Sequence, residues 1–482
     1  MTKLTLPHNF TLFITLLTSI FVSRFTHAEP LPDFSNETRQ ILSVKQEILI
    51  GKIWLHQLQG ANFISQDLIN NHYIGRLGNT LISHANSNNE LSKFNFFTID
   101  SPEINAFAFF GGNIGVFAGL INITETESEL AAILAHEISH ITQKHSAQQL
   151  LKQKKLMPIT VMEAVAMLAL GVPDLVMPVL GNHIQQMLNF SRENEQEADR
   201  IGIQLLNNSP FDPRAMATVF TRFNQFSTNY QKVPEYLLTH PMFDSRIPDA
   251  LNRTEKLGYK QYIDSLDYQL VKARASAKLA ENKTNALATI KDQINQQKYQ
   301  SLTTAKYTQA LLLQELQQHT KAEAILNNLA AENPDNIILQ LSWLESLSRT
   351  KPTTSKLRLK ELQAANPEHL PINILCAQSL LNSNDYSAAL DILLPYDKNN
   401  IYALTEEHAI YKILISCYQK LNQTDLSLLM QAKSSVLSNK LTLAEQQLQQ
   451  ALKVAKKANL GKIKNFQQQL KEFMQEIEEI KL

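Results

Sequence analysis

The sequence predicts an α+β chain, mostly α: a helical domain with a small β-sheet, followed by an α-solenoid. Three observations carry this. A helical run holding Ala135-His136-Glu137-Ile138-Ser139-His140 follows an aromatic and β-branched stretch from Phe94 to Leu120. Beyond about residue 265, glycine and strand signals almost vanish and Ala, Leu, Gln and Lys dominate. In that half Asn333-Pro334, Asn366-Pro367 and Asn399-Asn400 recur 33 positions apart, close to a 34-residue helix-pair repeat.

At 482 residues the chain is long enough for two or three domains with full cores. Lys+Arg and Asp+Glu are equal at 45 each, so no global field favours nucleic acid or an anionic membrane. Residues 1–28 read as an export signal: Lys3, an apolar run from Phe10 to Val22, and Thr26-His27-Ala28 as a small-x-small cleavage site ending at Ala28. The run is short for a bilayer span, which needs about 20 residues; a retained anchor is the other reading. The only two cysteines, Cys376 and Cys417, lie in helical patterns and suit either a disulfide or two buried thiols.

Residues 29 to about 90 read as helical. Phe94–Ile99 is β-like, and Asn105 to Leu120 suggests further strands with a tight turn at Gly111-Gly112. Gly115 and Gly119 are expected to leave room for another backbone. As an edge strand, this stretch would pair with an extended peptide; as an ordinary core hairpin, it would not.

Ser128 to Ala135 is rich in Ala and Leu, with Thr124 or Thr126 as its cap and Glu127 and Glu129 in the first turn. Residues four apart on a helix differ by roughly 40° around its axis, so His136 and His140 face the same way. Glu137 is placed to reach a water between them. Two imidazoles and a carboxylate are what a zinc hydrolase needs, although a five-residue match also arises by chance. His145, roughly 140° round a continued helix from His140, is expected to point elsewhere, at the surface.

Residues 156–181 are strongly apolar but carry Glu163, Asp174, Pro173 and Pro178. They read as two short helices covering the cleft, a mobile lid with peripheral membrane contact, rather than as a bilayer span. Phe190 to Arg200 follows as an acidic helix. Glu195 and Asp199 share one face. Glu195 can complete the metal site, and Asp199, one turn on, can hold a liganding imidazole. Glu193 and Glu197 are rotated away, toward solvent. Ala198 lets the helix pack closely.

After residue 265, helix pairs fill Ala322 to Leu329, Tyr386 to Leu394 and the region of Tyr418 and Leu421. Asn384 and Asn422 stand where a turn glycine would be. About four tetratricopeptide-type repeats are expected, or else an irregular bundle, with an amphipathic last helix from Lys462 to Lys481.

HEISH, the S-R-x-x-E-x-x-A-D run from Ser191 to Asp199, Thr239-His240-Pro241 with Arg246 five after the proline, and N-A-F-A-x-x-G-G from Asn105 to Gly112 together resemble the gluzincin metallopeptidases related to the HtpX and CAAX-prenyl proteases. An exported peptidase domain followed by helical repeats is similar to the periplasmic branch of that family that enhances β-barrel assembly. The resemblance implies a zincin-like peptidase over residues 29–265 and a repeat domain over 266–482. It implies one zinc ion on His136, His140 and Glu195, with Glu137 as general base. It places His240 near the metal, as a fourth ligand or an oxyanion donor. Arg246 would hold substrate or its own helix, and Asp199 would be a supporting group or a proton donor. The substrates implied are unfolded or misassembled outer-membrane proteins, with the repeats docking on the outer-membrane assembly machinery. A second reading is a periplasmic chaperone or scaffold whose metal site is latent, kept closed by His240. A purely structural zinc site fits less well, because such sites fill all four positions with Cys and His.

Overall fold

The architecture is that of a computed structural model, which describes residues 44–85, 94–146, 148–149, 190–230, 233–242, 244–257, 262–397 and 407–481. The expected signal (1–28), the apolar segment 156–181 and Asn399-Asn400 lie outside the described residues. No helix among the described residues is long and apolar enough to cross a membrane.

The chain is α+β and mostly α, as the sequence predicts. Helices α1 (Val44–Gly60) and α2 (Leu68–Ser83) lead into strands β1 (Asn95–Ile99), β2 (Ala106–Phe109) and β3 (Asn113–Phe117). The sheet order is β1-β3-β2. β1 runs parallel to β3, with Phe96 opposite Ile114, and β2 runs antiparallel to it, with Ala108 opposite Ile114. The turn from β2 to β3 is tight because Gly111 (φ +76°) and Gly112 (φ +81°) take left-handed conformations that a Cβ would penalise. Gly51 of α1 lies against the Phe110 carbonyl of this turn, with no space for a side chain.

The two further glycines behave differently. Gly119 lies on the carbonyls of Pro102 and Glu103, the backbone approach its sequence context suggests. Gly115 does not: a Cβ there would meet the rings of Phe107 at 2.8 Å and Phe97 at 2.9 Å. It makes room for the aromatic cluster of the sheet, in which Phe97, Phe107, Phe109 and Phe117 meet at centroid distances of 5.9–6.4 Å.

Helices α3 (Ala118–Ile123), α4 (Glu127–Thr142), α5 (Arg192–Asn208), α6 (Ala215–Tyr230), α7 (Glu235–Thr239) and α8 (Arg246–Glu255) complete the first half. Every residue of α4 from Ser128 to Ile141 is buried, which explains a sequence apolar on all faces except at the motif. The α5 helix packs along it, and α6 covers another side.

Twelve helices follow among the described residues. They are α9 (Leu266–Leu279), α10 (Lys283–Asn295), α11 (Leu302–Glu315), α12 (His319–Glu332), α13 (Ile337–Thr350), α14 (Pro352–Ala365), α15 (Leu370–Asn382), α16 (Tyr386–Leu393), α17 (Glu407–Lys420), α18 (Thr424–Leu437), α19 (Leu441–Val454) and α20 (Leu460–Lys481). From α10 onward each packs on the next. The periodic asparagines have a physical job: Asn333 and Asn366 end α12 and α14, and their Nδ2 groups donate to the Leu329 and Leu362 carbonyls at 3.0 Å. Asn384 (φ 60°) and Asn422 (φ 54°) are the left-handed turn residues the sequence marks. Gln317 (φ 60°) and Gln297 (φ 56°) fill the same role without any signal. Cys376 and Cys417 are buried free thiols, so the disulfide alternative is not realised. In α20, Ile463, Phe466, Leu470, Phe473 and Ile477 are buried at helical spacing, roughly 1.5–3 kcal/mol for each large side chain relative to exposure.

The two halves interlock. Phe473 of α20 packs against His56 of α1 at 6.0 Å, and the backbone of Ser438 fills the place of a Gly60 side chain. The strongest tie is ionic. Asp67 caps α2 by accepting from Ile69 N and Asn70 N at 3.0 Å, and its Oδ2 accepts from Nε (3.0 Å) and Nη2 (2.7 Å) of Arg274 in α9. Burial alone would raise the Asp67 carboxyl, but Arg274 and the cap hydrogen bonds outweigh it and hold it below its ordinary value. Asp67→Ala removes both cap and counter-ion. It is expected to cost about 3–5 kcal/mol, because Arg274 then stays buried without its carboxylate. A denaturant midpoint unchanged from wild type would contradict this tie.

Candidate metal centre

Three elements deliver the site. Thr126 caps α4, its hydroxyl accepting from Glu129 N at 3.1 Å, and Glu129 is fixed by Arg222 at 2.8 Å. Ser191 caps α5, accepting from Asn194 N at 3.3 Å. Burial along α5 falls on Glu195, Asp199 and Gly202, one stripe of the helix. At Gly202 a Cβ would stand 3.3 Å from His136 N, so this glycine lets α5 close onto the motif itself. His240 ends α7, its N–H donating to the Tyr236 carbonyl at 2.9 Å.

Together these elements bring His136, His140, Glu195 and His240 into one fully buried cluster, each offering a ligand atom within 4.8 Å of the others. Nε2 of His136 lies 2.9 Å from Nε2 of His140 and 3.3 Å from Nδ1 of His240. Glu195 Oε1 is 3.0 Å from Nδ1 of His240 and 3.4 Å from Nε2 of His140. Its Oε2 is 3.5 Å from Nε2 of His136. Four ligands at 2.0–2.1 Å around a tetrahedral zinc would stand about 3.3 Å apart. The residues present therefore fit a metal ion in donor type, spacing and burial. Both Glu137 carboxylate oxygens are buried without a hydrogen-bond partner among the described residues, and Oε1 lies 3.4 Å from Nε2 of His240. An unpaired carboxylate in a dry site is costly and calls for a ligand or a water.

Behind the cluster, Arg246 is 1% exposed and binds Asp199 through both carboxylate oxygens, Nε to Oδ2 and Nη2 to Oδ1, each at 2.7 Å. Its Nη1 reaches Glu195 Oε2 at 2.7 Å and the Pro241 carbonyl at 3.1 Å, and its guanidinium lies over Phe220 at 4.4 Å. Asp199 Oδ1 is 2.9 Å from Nδ1 of His136, on the far side of that ring from the cluster.

The charges follow. Burial would raise the Glu195 carboxyl, but His240 and Arg246 outweigh it and hold it well below the usual range. Asp199 is lowered in the same way by Arg246 and by its hydrogen bonds, against burial. Burial drives His140 well below its ordinary value, against the pull of Glu195. His136 rises to about 9: burial opposes this, and hydrogen bonds with Asp199 and Glu195 win. The cluster thus favours a positive charge at its centre.

One expectation is overturned. His145 is not a surface residue: it is 1% exposed, and its Nδ1 lies 2.9 Å from Nδ1 of His140. The α4 helix stops at Thr142, and Lys144 takes a left-handed φ of 57°, which folds the chain back onto the motif. Beyond Thr142 the chain leaves the helix, so the roughly 140° offset of a continued helix does not hold there. Glu197, expected to face solvent, is half-exposed yet reaches Nε2 of His145 at 3.2 Å. Two more residues had no signal in the sequence. Phe190 stacks on His140 at 4.0 Å, and Tyr236 stacks on His240 at 4.5 Å with its hydroxyl buried and unpaired among the described residues. An aromatic two residues before a Glu-rich helix, or four before a histidine, looks like any core residue.

Arg246→Met leaves two buried carboxylates without their cation, an expected cost of about 3–5 kcal/mol. In the wild type the folded Asp199 and Glu195 carboxyls titrate below their unfolded values. Their contribution is therefore present above about pH 4 and is lost as pH falls through the folded values. Removing Arg246 raises those folded values, so acid unfolding followed by circular dichroism should begin at higher pH in the variant. An onset at the wild-type pH would count against the pairing.

Comparison with known proteins agrees with this geometry. Residues 69–254, which include all of the clustered groups, match peptidase family M48. The chain is 34% identical over 423 residues to the β-barrel assembly-enhancing protease of Escherichia coli K12, covering 86% of this chain and 85% of that protein. It is 32% identical over 421 residues to the protein of the same name from Yersinia pestis, with the same coverage. A mitochondrial metalloendopeptidase of Bos taurus is 29% identical over 263 residues, 48% of each chain. The chain belongs to peptidase family M48 and, within it, to the β-barrel assembly-enhancing proteases.

Proposed function

We propose that the buried cluster holds one zinc ion on Nε2 of His136, Nε2 of His140 and the Glu195 carboxylate, and that the protein cleaves peptide bonds there. The observation that carries this is the convergence of those donors beside Glu137, whose oxygens have no partner among the described residues. A zinc ion bound there supplies a Lewis acid for the scissile carbonyl and lowers the pKa of water. Glu137 takes the proton of the attacking water and returns it to the leaving amide nitrogen. Asp199 keeps the proton of His136 on Nδ1, so Nε2 is free to ligate. Arg246 is a positioning residue: it fixes Glu195, Asp199 and the backbone at Pro241 together.

The β2 strand is an edge of the sheet, buried at every position, and an extended peptide would pair along Asn105–Gly112 once that edge is uncovered. The substrates that fit this reading are unfolded or misassembled outer-membrane proteins; the relatives' name itself says only that they are proteases enhancing β-barrel assembly. The division is a leader cleaved after Ala28, a peptidase over 29–265 and a tetratricopeptide-type repeat domain over 266–482. The repeats would dock on the outer-membrane assembly machinery in the periplasm.

A second reading has one specific observation in its favour. Nδ1 of His240 sits among the ligand atoms, where it fills the position a catalytic metal keeps open. In that arrangement the site is latent and the protein works as a chaperone or scaffold, with cleavage only when His240 withdraws.

Casein hydrolysis by purified protein should be abolished by chelator and restored by zinc. Glu137→Gln should lose about 10²–10⁴-fold in rate, the usual worth of a general base, while keeping its metal. Undiminished cleavage by Glu137→Gln would refute the assignment. Activity gained on His240→Ala would support the latent state.

A further inference from the structure

The proton on each imidazole of the cluster is dictated from outside it. Glu197 is a carboxylate and only accepts, so Nε2 of His145, 3.2 Å from its Oε2, is the nitrogen that carries hydrogen. In neutral His145, Nδ1 is then bare. It lies 2.9 Å from Nδ1 of His140, which must donate to it. His140 is left with a bare Nε2, 2.9 Å from Nε2 of His136. That spacing needs a positive charge between the two nitrogens, either a proton on His136 or the metal ion that displaces it. Asp199 does for His136 in one step what Glu197 does for His140 in two.

We propose that His145 and Glu197 are positioning residues for the metal: a carboxylate–histidine–histidine relay that fixes the tautomer and ring plane of His140 so that its Nε2 ligates. The inference rests on the reading of His140 as a metal ligand. The relay depends on Lys144, whose left-handed turn brings His145 back, and Phe190 holds the other face of the His140 ring. A metal-bound imidazole gives its second nitrogen to a carboxylate, carbonyl or water as a rule. Here that acceptor is another histidine, with its own carboxylate at the half-exposed edge of the site. The relay thus links the centre to a group that solvent can reach.

The test is zinc affinity of the full-length protein, measured by competition with a chromogenic chelator near pH 7.5, with folding checked by circular dichroism. His145→Leu removes the acceptor and should weaken zinc binding about 10–100-fold, the usual cost of losing such a partner. His145→Asn places a carbonyl oxygen where Nδ1 was and should stay within about threefold of wild type on the same reasoning. Glu197→Leu, at a half-exposed position, leaves His145 without its acceptor and should also weaken binding. His145→Leu and Glu197→Leu binding zinc like wild type, while His140→Ala does not, would overturn the relay and leave the metal site standing. An Asn variant as weak as the Leu variant would also overturn it, by showing that packing alone matters. If wild type and His140→Ala bind zinc equally, or neither binds, the metal reading itself fails and the relay falls with it.

Discussion

The site depends on one buried ion pair. Arg246 has no solvent to hydrate it, and its fork is filled by Asp199, Glu195 and the backbone beside His240. Those partners come from two stretches of chain: Glu195 and Asp199, one turn apart on α5, and the loop after α7. An uncompensated charge in such a place is strongly destabilising. The folded state is therefore tied to an arrangement in which Glu195 faces the two imidazoles and Asp199 stands behind one of them. The geometry of the cluster is thus set by electrostatic satisfaction in a dry core.

That core explains why the motif helix is apolar on every side. A helix buried all round leaves its few polar groups no water to retreat to, so His136, Glu137 and His140 must find partners in protein or ligand. Asp199, His145 and Glu195 meet part of that need. Glu137 is the exception: neither of its oxygens has a hydrogen-bond partner among the described residues, which is consistent with the base proposed for it. Gly202 matters for the same reason: without a side chain, α5 approaches the motif backbone closely enough for Glu195 to reach it.

Much of this was legible in the sequence, for identifiable reasons. The spacing of His136 and His140, and of Glu195 and Asp199, is local and helical, so periodicity alone places them on shared faces. The caps Thr126 and Ser191 and the turn residues Asn384 and Asn422 are chemically marked. Joining His240 and Arg246 to the cluster required family resemblance, because contacts across 45 and 47 residues leave no local trace. The relay through His145 was missed because a lysine, not a glycine, takes the left-handed turn at 144. The parallel pairing of β1 with β3 and the role of Gly115 were hidden for a related reason: both depend on which strand comes to lie beside which.

The most direct measurement is a crystal structure with anomalous diffraction collected on either side of the zinc absorption edge. The account predicts one strong peak, present only above the edge, about 2.0–2.2 Å from Nε2 of His136, Nε2 of His140 and a Glu195 oxygen. Zinc-replete crystals with those three side chains in place and no peak between them would contradict it.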